Sequence, residues 1–259
     1  MTTPTTAALK SVRPGPVFLG LCAAFGLGIY LLLQSGTERN WQGHLGAFLF
    51  VLSGWVISLA LHEFAHAFTA FRYGDRSVEV RGYLTLNPLK YTHAGLSIAL
   101  PLLIVALGGI GFPGGAVYLH TAGFTNAQRT KVSLAGPATN FTLGLVLLAA
   151  LAVNDPTMQS GNLWAATAAL AFLQLSATLL NILPVPGFDG YGAIEPYLSP
   201  EVRMSAQKIA PFGILLVFVL LFIPFLNRAF FGLVYDVFDL FGINPGFAQY
   251  GMGLFAFWL

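Results

Sequence analysis

A series of long apolar runs, separated by short polar connections, constrains this chain more than any other feature. The runs cover residues 17–34, 46–71, 96–119, 132–153, 163–183 and 211–227, and an aromatic tail follows over 229–259. Such runs approach or exceed the roughly 20 apolar residues that a helix needs to cross a bilayer. Only 8% of all residues are charged, whereas soluble domains average about 25%. The sequence therefore predicts an all-α polytopic membrane protein.

Lysine and arginine residues predict the orientation of the runs, because these residues collect on the cytoplasmic side. Most of them share one side only if 96–119 does not cross; they are Lys10, Arg13, Arg72, Arg76, Arg81, Lys90, Arg129, Lys131, Arg203 and Lys208. The run 96–119 also contains Pro101 and Pro113, which would break a spanning helix. We therefore expect about five to six transmembrane helices, a re-entrant segment over 96–119 and a cytoplasmic N-terminus.

The stretch VEVRGYLTL, residues 78–86, has a different pattern, since apolar residues and Gly82 alternate with polar ones. A period of two is typical of a β-strand, so we expect a small membrane-associated β element here. The free edge of such a strand would accept an extended segment of a substrate through main-chain hydrogen bonds.

No low-complexity linker or internal repeat divides the sequence, which predicts a single domain over 1–259. The net charge is +2 without a basic block, so we expect no nucleic-acid partner. The single cysteine, Cys22, excludes an internal disulfide.

Inside the second apolar run, the stretch LALHEFAHAFTAF contains two histidines and a glutamate. His62 and His66 are four residues apart, so on a helix they share one face and can bind one metal ion. Glu63 can reach a water on that ion as a general base, as in the HExxH arrangement of zinc metalloproteases. The alternative is that the three groups merely pair inside a helix bundle. Ionisable residues at such a depth usually mark function, which favours the metal site.

A catalytic zinc site needs a third protein ligand, and Asp189 is the best candidate. It follows the run 163–183 where Pro184 and Pro186 end the helix. Two imidazoles and one carboxylate leave a smaller buried charge around zinc than three imidazoles would. The other candidates are expected in solvated loops, at the opposite membrane face or on an interfacial helix; they are His44, His93, His120, Glu38, Asp75, Glu79, Asp155, Glu195, Glu201, Asp236 and Asp239.

With three further motifs, HEFAH resembles the signature of the site-2 protease family of intramembrane zinc metalloproteases. YGDRSVEVRGYLTLNPLKYTHAG resembles the region that follows the HExxH helix in that family. LAGPATNF, residues 134–141, resembles the family's GPxxN element, and NILPVPGFDG, residues 181–190, resembles its NxxPxPxxDG motif. The motifs occur in family order.

The resemblance implies a catalytic core over about 46–195, with accessory spans at 17–34 and 211–259. The chain is similar to a compact form of the family, because it has no room for the PDZ domain that many bacterial relatives carry. His93 departs from the pattern, since many relatives have an acidic residue there.

The resemblance also implies one zinc ion per chain, bound by His62, His66 and Asp189, with Glu63 activating the zinc-bound water. Asn140 and Asn181 are implied to bind the substrate near the metal. Asparagine in a transmembrane helix is otherwise often a simple interhelical hydrogen-bonding group.

The activity implied is hydrolysis of peptide bonds within or near the bilayer, as in regulated intramembrane proteolysis. The expected partners are membrane lipid and a single-pass transmembrane protein, including one already cut by another protease or a signal-peptide remnant. The expected location is a plasma membrane of bacterial type, and water and substrate reach the site from the cytoplasmic side.

Three alternative functions are open on the residues alone. A catalytically silent relative would bind membrane proteins without cutting them. Such a relative would not need the metal ligands or Glu63, so their presence argues against this alternative. A metal transporter would carry polar residues along several spans, whereas here they cluster at one depth. A di-iron membrane enzyme needs several histidine boxes, and the five histidines of this chain are too few for them.

Overall fold

The computed structural model describes residues 12–91, 117–154, 156 and 160–258. This part of the chain consists of α-helices joined by short loops and 3-10 turns, without a β-strand. In chain order the helices are α1 (Pro16–Ser35), α2 (Trp41–Arg72), α3 (Ser77–Val80), α4 (Asn126–Ala152), α5 (Gly161–Asn181), α6 (Asp189–Ile194), α7 (Pro200–Ile209), α8 (Gly213–Leu221), α9 (Pro224–Leu240) and α10 (Gly246–Phe255). The 3-10 turns lie at Tyr83–Thr85, Pro88–Lys90, Glu195–Tyr197 and Ala210–Phe212.

Four of these helices, α1, α2, α4 and α5, are long and apolar enough to cross a membrane. They confirm the prediction of an all-α membrane protein. Helix α5 is the most enclosed of the four. In its most apolar 18-residue stretch 83% of the residues are buried, against 11% in that of α1. It packs against α2, α4 and α10, whereas α1 packs mainly against α2. The structure therefore places α5 at the centre of the bundle and α1 at its edge.

The run 211–227 does not form a spanning helix, so that prediction is wrong. Helix α8 ends at Leu221 and α9 begins at Pro224, because proline cannot continue the hydrogen-bond ladder of a preceding helix. The nine residues of α8 extend roughly 14 Å, about half of the ~30 Å hydrocarbon core. The described residues thus hold four candidate spans, fewer than predicted. Most of the re-entrant segment expected over 96–119, and His93, lie outside the described residues.

The β-strand predicted over 78–86 is also wrong. Helix α3 and the 3-10 turn Tyr83–Thr85 occupy this stretch instead. Gly82 (φ 75°) and Leu86 (φ 54°) adopt the left-handed conformation, which an extended strand does not allow. Val78 and Leu84 are fully buried, whereas Val80 is 90% exposed, so burial does not follow the alternation of a strand. The strand edge expected to hold a substrate is therefore absent from these residues.

Two apolar clusters bracket the polar part of α2. The larger cluster fills the bundle between α2, α5, α9 and α10, with Trp55, Phe172 and Phe238 among its members. The smaller cluster packs Phe71, at the end of α2, against the 78–91 region. The smaller cluster also includes Ala60 before and Ala67 after His62, Glu63 and His66. Packing on either side therefore holds that stretch of α2 in place.

Candidate metal centre

Helix α2 carries His62, Glu63 and His66, and all three are buried, with 6%, 3% and 5% of their surface exposed. The helix is continuous from Trp41 to Arg72. Its geometry therefore places the two imidazoles one above the other on one face. Their Nε2 atoms are 3.1 Å apart. If both nitrogens face one cation, each can offer it a lone pair, and no proton needs to lie between them.

The tautomer of His66 follows from its contact with α4. Its Nδ1 lies 2.7 Å from the main-chain oxygen of Val132, and a carbonyl oxygen only accepts hydrogen bonds. Nδ1 therefore carries the proton, and Nε2 offers a lone pair to a metal. A backbone partner on the far nitrogen is the usual way in which proteins orient a metal-binding histidine.

Asp189 reaches the histidines because the chain turns back sharply after α5. Gly187 has φ 102°, a conformation that favours glycine. A Cβ at Gly190 would collide with the main-chain oxygen of Ile182. Glycines on either side of Asp189 therefore permit a turn that brings its Oδ2 to 3.1 Å from His62 Nε2 and 3.4 Å from His66 Nε2.

The Asp189 carboxyl group faces both imidazoles. Its Oδ2 is within 3.1–3.4 Å of the two Nε2 nitrogens. A carboxylate beside two imidazole nitrogens is the donor chemistry that a zinc ion binds.

The distances among the three donor atoms fit a single tetrahedral ion. Tetrahedral ligands at roughly 2.0–2.1 Å from zinc are about 3.3 Å from one another. The three pairs of donor atoms are separated by 3.1, 3.1 and 3.4 Å. Among the described residues, His62, His66 and Asp189 are the set of potential ligands that comes together in this way. The structure thus brings together the three ligands that the sequence predicted.

Gly136 on α4 is a site residue that the sequence analysis missed. A Cβ on it would lie 2.5 Å from His62 Nε2 and would also collide with His66 Nε2. The absence of a side chain lets α4 cross α2 directly over the ligands. The signal was present in the sequence, because Gly136 is the glycine of the GPATN stretch that carries Asn140.

A cavity of about 490 Å³ surrounds the three donor atoms. Glu63, Asn140 and Asn181 all line it. Their roles as a base and two substrate-binding residues stay predictions. The Oδ1 atom of Asn140 is buried and has no hydrogen-bond partner among the described residues. Asn181 donates to the main-chain oxygen of Ala177 in its own helix, at 3.0 Å. Neither side chain links two helices through these contacts.

The two other histidines among the described residues, His44 and His120, lie elsewhere. His44 Nδ1 is 3.0 Å from the main-chain oxygen of Leu254, and His120 contacts Ser77. Asp75 corrects the expectation of a solvated loop, because it is only 5% exposed. It accepts hydrogen bonds from Ser77 and from the main-chain N–H of His120.

Comparison with known proteins connects this geometry to a family. The model of peptidase family M50 matches residues 47–157. A protein of Mycobacterium tuberculosis named as the zinc metalloprotease Rip2 is 49% identical over 254 residues, which are 98% of this chain and 97% of that relative. The Rip2 protein of Mycolicibacterium smegmatis is 50% identical over 250 residues, 96% of each chain.

A more distant relative, named as the zinc metalloprotease YwhC of Bacillus subtilis, is 32% identical over 176 residues, 65% of this chain and 77% of the relative. No solved structure matches the chain significantly.

Proposed function

The chain belongs to peptidase family M50, the site-2 protease family, and we propose that it hydrolyses peptide bonds of transmembrane proteins within or near the bilayer. The family and the named relatives make it a zinc metalloprotease. The four apolar helices make it an integral membrane protein. The proposal adds the place of the cut and the class of substrate.

One observation carries the proposal. Three donor atoms with the spacing of zinc ligands lie in one cavity beside a glutamate, and two of them, with the glutamate, belong to a helix that is long enough to cross a membrane. A metalloprotease site at the surface of a soluble domain would not need such a scaffold. We therefore propose His62, His66 and Asp189 as the metal ligands and Glu63 as the general base.

The residues of the chain would share the work of peptide hydrolysis. Zinc, when bound by the three ligands, supplies a Lewis acid that polarises a carbonyl oxygen and makes water more acidic. Glu63 takes a proton from the attacking water on its carboxylate and then donates it to the leaving amine. The hydrogen bond from His66 to Val132 keeps the imidazole aimed at the metal.

Asn140 and Asn181 are proposed to hold the substrate backbone. The free Oδ1 of Asn140 can accept a hydrogen bond from a peptide N–H of an unwound substrate. Such a bond replaces one that the substrate helix loses when it opens for cleavage. Asn181 lines the same cavity and would contact the opposite side of the peptide.

We propose access from the cytoplasm and a plasma membrane of bacterial type. His62 lies ten residues before Arg72, the last residue of α2, or roughly 15 Å below that end. Four basic residues lie at or just after this end of the helix, which supports a cytoplasmic side. They are Arg72, Arg76, Arg81 and Lys90. We propose that the substrate is a single-pass protein, including one trimmed by another protease. Residues 46–195 are proposed as the catalytic core of the chain itself.

The test uses the full chain in lipid vesicles that also contain single-pass transmembrane helices with short flanking segments. We expect the wild-type protein to bind about one zinc ion and to cut at least one of these helices. Glu63→Gln should keep the metal and lose cleavage, since it keeps the shape but not the base. Cleavage by Glu63→Gln at the wild-type rate, or a metal-free wild-type protein that still cuts, would contradict the proposal.

A further inference from the structure

The carboxylate of Asp75 is buried in the loop after α2, where the proposed catalysis does not use it. Both of its oxygens are engaged. Oδ1 accepts from the main-chain N–H of Ser77 at 3.0 Å and from the Ser77 hydroxyl at 2.7 Å. Oδ2 accepts from the main-chain N–H of His120 at 2.7 Å. One side chain therefore ties the end of α2 to a segment more than forty residues later in the sequence.

The proton positions in this cluster follow from hydrogen-bond chemistry. A serine hydroxyl carries one proton, and Ser77 Oγ directs it to the Asp75 carboxylate, which has none to give. His120 Nδ1, 3.0 Å from the same Oγ, must then be the donor. His120 is thus held by two hydrogen bonds, one from its main chain to Asp75 and one from its ring to Ser77.

The segment held in this way, residues 117–120, reaches the metal cavity at its other end. Val117 and Leu119 line the cavity and pack against the smaller apolar cluster. The main-chain N–H of Val117 donates a hydrogen bond to the carboxylate of Glu63. The same short segment therefore contacts Asp75 at one end and the proposed base at the other.

We propose that Asp75 is a positioning residue for Glu63, acting through the main chain of residues 117–120. This inference rests on the proposed function, because it assigns Glu63 the role of base. With His120 fixed, Val117 presents its main-chain N–H to the carboxylate of Glu63. Without the Asp75 carboxylate the main-chain N–H of His120 loses its acceptor, and the apolar contacts of Val117 and Leu119 are not directional. We therefore expect the orientation of the Glu63 carboxylate to be less well fixed.

The predicted effect is on turnover rather than on metal or substrate binding. Asp75→Ala removes both anchors, and we expect kcat to fall about tenfold, a part of the 10²–10⁴-fold contribution of a positioned general base. KM should stay within about twofold and zinc content should be unchanged, because neither Asp75 nor residues 117–120 supply a metal ligand. Asp75→Asn, which can still accept from the His120 N–H, should recover part of the loss.

Asp236→Ala on α9 is the matched control, since it removes an exposed acidic side chain away from the cavity. It should change none of these quantities. A loss of zinc and of thermal stability in Asp75→Ala, in proportion to the loss of rate, would reduce Asp75 to a structural residue and overturn the proposal.

A second measurement needs no cleavage, so it separates this proposal from the proposed function. Amide hydrogen exchange of the wild-type protein in detergent should show protection at 117–120, and Asp75→Ala should lose it while α2 keeps its own. Unchanged exchange at 117–120 overturns the positioning role even if the enzyme cuts. Lost protection with a wild-type protein that cuts no substrate would leave the anchor standing and refute the proposed function instead.

If Asp75→Ala does not fold, the double variant Ser77→Ala/His120→Ala serves in its place. It removes the link through the His120 ring but keeps the buried carboxylate and its bond to the His120 N–H. We expect a smaller fall in kcat, about threefold, with partial loss of protection. No change in either quantity would count against the proposal.

Discussion

Two buried asparagines in this bundle have opposite surroundings. Asn162, at the start of α5, donates to Ser35 Oγ and to the main-chain oxygen of Glu38, both at 2.9 Å, and Tyr250 donates to its Oδ1 at 3.3 Å. Asn140, in α4, leaves its Oδ1 without a partner among the described residues. Both side chains are almost fully buried, at 0% and 5% exposure.

The difference separates structural from functional polar groups inside a membrane protein. A buried polar atom without a partner destabilises the fold, so the bundle has satisfied Asn162 from several helices. Asn140 keeps an acceptor that has no partner within the described part of the chain, and it does so in the cavity that also holds the proposed metal ligands. We infer that hydrogen bonds around Asn162 stabilise the bundle, whereas those around Asn140 are reserved for a substrate.

The largest effect is expected from Gly136→Ala, which tests whether the cavity around Asn140 holds a metal site. The new methyl group would lie 2.5 Å from His62 Nε2, so we expect zinc affinity to fall by more than about 100-fold, beyond the 10–100-fold effect of altering a partner of a metal ligand. Gly144→Ala on the same helix is the control, because its Cβ would meet the flexible side chain of Leu175 at 3.0 Å. Metal content by mass spectrometry of the folded proteins decides, and equal zinc content in both would contradict the metal-site geometry.

The test with an effect of intermediate size compares alanine substitutions at the two asparagines. Asn140→Ala should reduce cleavage about 10–100-fold, since it removes a proposed substrate contact, and leave the thermal midpoint unchanged or slightly higher. Asn162→Ala should instead destabilise the fold by about 1–2 kcal/mol and leave the rate per folded molecule intact. Cleavage and thermal unfolding are measured on the same preparations. A loss of stability in Asn140→Ala would assign that residue to the bundle.

The smallest effect is expected at Ser176, whose Oγ is buried in α5 without a partner in the residues that the structure describes but does not line the metal cavity. Ser176→Ala should change stability by less than about 0.5 kcal/mol, because it removes an unsatisfied group without leaving another. Cleavage should remain at the wild-type rate. A clear loss of activity would mean that unpaired polar atoms outside the cavity also serve the reaction.

The grouping of His62, His66 and Asp189 could be predicted because short sequence motifs carry it. The spacing of His62 and His66 defines one helix face, and Asp189 is the acidic residue that follows a span at a helix-ending proline pair. Gly136 and the Val132 carbonyl were not predicted as site residues, because their roles depend on how closely α4 crosses α2. That distance is a tertiary property, and no pattern within α4 alone specifies it.

The errors have equally physical causes. Over the nine residues 78–86, alternation of apolar and polar residues is produced by a helical turn and a 3-10 turn separated by a left-handed glycine as readily as by a strand. Asp75 lies in a loop by sequence, but it is buried by a partner segment more than forty residues away. The run 211–227 has the length of a span, yet Pro224 begins a new helix within it.

The unbroken course of α2 fixes the depth at which this molecule can act. With 32 residues the helix is roughly 48 Å long, more than the thickness of a typical hydrocarbon core, and His62 and His66 lie at fixed positions along it. These two imidazoles therefore cannot follow a substrate up or down through the bilayer. The proposed membrane-spanning substrate would have to bring its own scissile bond to that level, so that its vertical position, as much as its residue types, would select the bond that is cut.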